Sequence, residues 1–148
     1  MSTAAQEYDV KEVLLHRGAM LLLDEIDSCS NSKLQARVCI TGDSTFFEPH
    51  AGVPAWVAME YMAQAVGALG GIKALQRGEA VPLGLLIGCQ KFSANQSYFT
   101  AGQTLTVTAT EIVADDYGLG AFDCSIKSDE ELASGRLTVF VQADQSLT

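Results

Sequence analysis

Apolar and polar residues alternate in several stretches of this 148-residue chain, and one stretch follows a helical pattern instead. From Lys33 to Thr41, Leu34, Ala36, Val38 and Ile40 point one way while Gln35, Arg37 and Thr41 point the other. That is the pattern of a half-buried strand. Gln103 to Val113 repeats it, with Leu105, Val107 and Ala109 set against Thr104, Thr106, Thr108 and Thr110. Met20 to Ile26 and Gly84 to Ala94 are further strand candidates. Tyr117 to Lys127 and Leu132 to Gln142 read as a long hairpin around Ser128-Asp129-Glu130-Glu131. Asp9 to His16 suits a short helix with Val10, Val13 and Leu14 on one side.

Pro54 to about Gln76 is the one long helical stretch. Pro54 fits the first helical position, where its missing N–H costs nothing, and Gly78 fits the end. The interior is rich in Ala, Met and Leu and holds Gly67, Gly70 and Gly71. With so few charges this helix is expected to be buried nearly all round. Two strands, a buried helix and four strands do not make a doubly wound alternation. They predict an α+β domain in which an antiparallel sheet wraps one central helix. Its open edge predicts self-association.

Nothing divides the chain, so residues 1–148 read as one domain. The first few residues and the tail after about Ala143 are polar or small and are expected to fray. No apolar run is long enough for a membrane span, and the N-terminus lacks the pattern of a signal peptide. A cytoplasmic protein with Cys29, Cys39, Cys89 and Cys124 reduced is the expectation. Their spacing suggests no metal site. The net charge of −9 disfavours nucleic acid and argues mildly against an acidic protein partner. A local basic patch drawn from Lys73, Arg77, Lys91 and Arg136 would offset this.

Candidate chemistry concentrates in Phe46-Phe47-Glu48-Pro49-His50-Ala51-Gly52-Val53-Pro54-Ala55-Trp56, followed by Glu60 and Gln64. A loop histidine is able to accept a proton near neutral pH. A carboxyl in apolar surroundings has its charged form disfavoured and suits an acid. Unpaired N–H groups at the helix start, around Ala55 and Trp56, suit a carbonyl oxygen. Glu60 and Gln64 are four positions apart and share a helix face. The bland alternatives are a polar loop histidine and a buried glutamate that merely pairs with a neighbour.

Leu14-Leu15-His16-Arg17-Gly18-Ala19-Met20-Leu21-Leu22-Leu23-Asp24-Glu25-Ile26 resembles the opening signature of the 3-hydroxyacyl-acyl-carrier-protein dehydratases. The segment from Phe46 to Gln64 resembles that family's catalytic stretch. Lys91-Phe92 and Ala101-Gly102-Gln103-Thr104-Leu105 resemble later, weaker signatures, so the likeness runs from about Leu14 to Val141. The form Val53-Pro54-Ala55-Trp56 with Glu60-Tyr61-Met62-Ala63-Gln64 looks like a bacterial side branch found with aryl-polyene biosynthesis. Members of that branch can pair with a second hotdog subunit.

The resemblance implies a hotdog fold, a substrate carried on acyl carrier protein or coenzyme A, and a homodimer or hotdog heterodimer, and no motif implies a metal or organic cofactor. It implies His50 as base and Glu60 as acid, contributed by different subunits. Ala55 and Trp56 would bind the carbonyl oxygen and Gln64 would support the substrate. His16 matches a position that is not catalytic in the family and reads as structural. Between His50 and Pro54 the chain is about four residues shorter than the usual dehydratase loop, and such sites tolerate little misplacement. Three functions follow: a 3-hydroxyacyl dehydratase, a thioesterase on the same fold, and a catalytically weak subunit that supports an active partner.

Overall fold

The computed structural model describes residues 8–142, with only the backbone of Gln142 included. The ends expected to fray lie outside the described residues. Among these residues, helix α1 (Val10–Val13) precedes strands β1 (Glu25–Cys29), β2 (Lys33–Cys39) and β3 (Val53–Pro54). Helix α2 (Ala58–Gln76) follows, then β4 (Leu83–Ala94), β5 (Tyr98–Phe99), β6 (Thr104–Ala114), β7 (Leu119–Lys127) and β8 (Glu131–Gln142).

Six strands form one antiparallel sheet in the order β1-β2-β6-β7-β8-β4. The alternation read from the sequence sets the faces. Leu34, Ala36 and Val38 of β2, and Leu105, Val107 and Ala109 of β6, are buried against the helix. The threonines of β6 face outward and are half-buried or exposed. Each large side chain removed from water contributes roughly 1.5–3 kcal/mol, so the shared core fixes the register. This is the sheet wrapped around a helix that the sequence predicts.

Helix α2 is enclosed as expected, and Gln76 alone among its residues is exposed. Its start differs from expectation: Ala55–Val57 form a 3-10 turn and the α-helix begins at Ala58. Its end carries a paired closure, with Glu79 N–H donating to Ala74 at 2.9 Å and Gly78 N–H to Leu75 at 3.0 Å. Gly78 takes φ +73°, the left-handed conformation that this closure needs.

Three further differences have local causes. The first helix spans only Val10–Val13, because Leu14 is already extended. The strand expected over Met20–Ile26 starts instead at Glu25, since the backbone of Met20 and Leu22 bonds the Gln64 side chain and not a neighbouring strand. A two-stranded ribbon of β3 and β5, Val53 opposite Phe99, was not anticipated.

Candidate active site

The N-terminal segment lies on α2 by several independent contacts. Gly71 sits under the Val13 carbonyl so closely that a β-carbon there would collide with it. Gly67 lies beneath Leu14. The Gln64 amide accepts from Leu22 N–H at 2.9 Å and donates to the Met20 carbonyl at 2.7 Å. The Arg17 guanidinium donates to the carbonyls of Leu14, His16 and Lys11 at 2.6, 2.7 and 2.8 Å. These contacts close one side of a cavity of about 330 Å³, whose other walls are α2, the residues just after it, and the start of β4.

Glu60 and Gln64 both line this cavity, as their shared helix face requires, and its walls are otherwise mainly apolar. Glu60 is half-buried and Gln64 is buried. Both ends of the Gln64 amide are taken by backbone, so its position is that of a clamp on the N-terminal segment. His16 lines the same cavity, whereas His50 does not.

His50 occupies the tip of a tight turn. Glu48 N–H donates to the Gly52 carbonyl at 2.7 Å, and Gly52 N–H returns to Glu48 at 2.9 Å. Tyr98 Oη donates to Glu48 Oε1 at 3.2 Å, and Gly52 lies against the Phe99 carbonyl. The shortened loop is thus closed and pinned to β5. His50 is exposed and takes φ +68°, an uncommon conformation for a residue with a β-carbon.

The helix start also departs from expectation. Ala55 N–H donates to the Ser97 carbonyl at 2.9 Å, so it is occupied and not open to a substrate oxygen. Trp56 is exposed and its ring stands 5.3 Å from that of Phe46 at 60°. Tyr61, one position after Glu60, is buried beside Phe99, with ring centroids 6.1 Å apart. Its phenol is pushed up to about 12, first by burial and then by the Asp24 carboxylate.

The four candidates for a basic patch are largely neutralised. Lys73 pairs with Glu111 at 2.9 Å, Arg77 with Glu79 at 2.9 Å, and Arg136 with Asp123 at 2.7 Å. Lys91 and Arg136 do line one groove on the outer face of the sheet, but Asp123 and Glu131 line it too. Among the described residues no group of three or more His, Cys, Asp or Glu side chains is placed to hold a metal ion. None of the described helices is long and apolar enough to cross a membrane.

The sheet has two edges, β1 and β4, and β4, which pairs only with β8, is the apolar one. Its first half carries Leu83, Leu85, Leu86 and Ile87, all exposed, Ile87 by 60%. Leu83 and Leu86 also line the Glu60 cavity, so the site borders the edge where another sheet could add.

Comparison with known proteins gives this arrangement its family. A curated relative, the 3-hydroxyacyl-[acyl-carrier-protein] dehydratase FabZ of Psychrobacter arcticus, is 28% identical over 148 residues, covering 93% of this chain and 97% of its own. The dehydratase heterocomplex ApeI:P from Xenorhabdus doucetiae superimposes with a TM-score of 0.87 at 28% identity, over 95% of both chains. The E. coli PaaI protein shares the fold alone, with a TM-score of 0.61 at 17% identity over 78% of this chain and 80% of its own. The sequence pattern of the ApeP-like family, described as ApeP dehydratase, matches residues 8–148. The chain therefore belongs to the ApeP dehydratase family and is a hotdog dehydratase.

Proposed function

We propose that the protein converts a 3-hydroxyacyl thioester, carried on acyl carrier protein, to the 2-enoyl thioester and water, in fatty-acid or polyene synthesis. The observation that carries this reading is Glu60, a half-buried carboxyl in the wall of a mainly apolar cavity large enough for a short acyl chain. In the step, a base takes the proton from C2, the electron pair forms the C2–C3 double bond, and the C3–O bond breaks. Glu60 gives its proton to the leaving hydroxyl, which departs as water. A cytoplasmic location goes with such a substrate.

His50 is the base in this proposal, offered from the turn tip to the Glu60 of a paired subunit. The apolar β4 edge is the surface on which that subunit adds, bringing the two chains' cavities to one seam. Coenzyme A is the alternative carrier.

The test is a dehydration assay on the isolated protein with Glu60→Gln and His50→Ala beside it. Loss of turnover in both variants is expected. Normal turnover in Glu60→Gln would remove the mechanism.

A second reading is a subunit that is weak alone and completed by a different hotdog chain. It is favoured by the likeness of this chain to a chain of the dehydratase heterocomplex ApeI:P. Its mark is activity that arises only on mixing with such a partner. Thiol release that depends on Glu60 but not on His50 would select a thioesterase.

A further inference from the structure

The histidine that shares a cavity with Glu60 in the same chain is His16. We infer that His16 is a substrate-contacting residue of the dehydratase site, donating a hydrogen bond to the thioester carbonyl while Glu60 serves the 3-hydroxyl. The inference rests on the functional reading above.

Polar side chains in this cavity are few, and they divide into committed and uncommitted. Gln64 is committed, with its oxygen on Leu22 and its nitrogen on Met20. Glu60 and His16 make no side-chain hydrogen bond within the described chain. A mainly apolar pocket with a few uncommitted polar groups is the usual form of a small-molecule site, because those groups fix the ligand's orientation. A 3-hydroxyacyl thioester brings two polar groups near its reacting carbons, a hydroxyl and a carbonyl. The cavity offers two side chains to meet them.

The carbonyl also lacks one donor expected for it, since Ala55 N–H is bonded to Ser97. A neutral imidazole donates from one ring nitrogen and is able to replace that donor.

His16 is exposed, yet the chain on either side of it is fixed. Before it, Val13 and Leu14 lie on Gly71 and Gly67. After it, Arg17 clasps three carbonyls and Gln64 holds Met20 and Leu22. An exposed loop does not need this many anchors to stay folded, whereas a ring that must meet a substrate group at hydrogen-bond distance does.

The chain has two histidines, which makes a direct test simple. Imidazole resonances are recorded by NMR while the protein is titrated with crotonyl-pantetheine, a 2-enoyl thioester. The spectrum of His16→Gln assigns the two signals. The His16 signal is expected to shift and saturate with the ligand. Ligand binding, seen by saturation transfer, with an unmoved His16 signal overturns the inference and leaves the functional reading intact. Absence of any binding overturns both.

In the dehydration assay, run on whichever form turns over, His16→Ala is expected to lose roughly ten- to hundred-fold in kcat/KM. His16→Gln, which keeps a donor, should recover much of that. Equal kcat/KM in His16→Ala and the parent, at matched thermal stability, overturns the inference.

Discussion

The side-chain oxygen of Gln64 accepts a hydrogen bond from the backbone N–H of Leu22 at 2.9 Å, joining α2 to a segment 42 positions earlier. The amide nitrogen closes the same clamp on Met20 at 2.7 Å. Gln64→Met keeps the volume and removes both bonds, leaving a buried donor and a carbonyl without partners. A loss of about 2–4 kcal/mol is expected by urea denaturation, with faster amide exchange at Leu22. Stability equal to the parent would show that the clamp is dispensable.

The helix glycines provide a graded series. Gly70 has open space where a β-carbon would go, so Gly70→Ala should stabilise by up to about 1 kcal/mol through helix propensity. Gly67 meets only the flexible end of Leu14, at 3.1 Å, and its alanine variant should be near neutral. Gly71 meets the rigid Val13 carbonyl. Gly71→Ala should be the destabilising member, lowering the melting temperature by several degrees. The order of the three melting temperatures checks the packing of α1 on α2.

Tyr61 is a source of alkaline sensitivity. Its folded value, about 12, lies above the ordinary 10, so the folded state holds the phenol proton more tightly than the unfolded state. The associated stability is complete below pH 10 and declines as pH rises from 10 towards 12. Tyr61→Phe should flatten that decline in denaturation curves taken at several pH values. Spectrophotometric titration should show Tyr61 ionising late among the four tyrosines, with Tyr98 also raised by its hydrogen bond to Glu48.

Thiol reactivity should separate the four cysteines. Cys39 is exposed, whereas Cys29 and Cys124 are buried. Burial, with added repulsion from Cys89 and Asp123, pushes the Cys124 thiol up to about 12. A disulfide reagent should therefore modify Cys39 first and Cys124 only on unfolding. Cys39→Ser should abolish the fast phase. Its persistence would place an exposed thiol elsewhere.

Strands with one buried face were legible because alternation and burial are the same fact stated twice. Leu34, Ala36 and Val38 announce β2, and Leu105, Val107 and Ala109 announce β6. The β3–β5 ribbon was not legible, since two residues a side leave no period, and one of them is Pro54. The misplaced strand over Met20–Ile26 has a long-range cause, as Gln64 claims backbone that local propensity would assign to a ladder.

The candidate site divides in the same way. Helical spacing put Glu60 and Gln64 on one face, and both line one cavity. Spacing could not reveal that Ser97 occupies the Ala55 N–H, because that bond joins segments 42 positions apart. Nor could it bring His16 to the wall of the Glu60 cavity. That placement depends on small residues at positions 67 and 71 letting the N-terminal segment lie close to the helix.

The order of the strands has a consequence for synthesis. Strand β4 is made before β6, β7 and β8, but its only partner in the sheet is β8, which begins at Glu131. At ordinary translation speeds, several seconds pass between the emergence of Leu83 and that of its partner strand. Throughout that interval the leucines of β4 have no neighbour of their own chain to pair with. A newborn chain is thus most open to chaperones, to misassembly, or to a partner already folded nearby, along the very strand that later borders the Glu60 cavity.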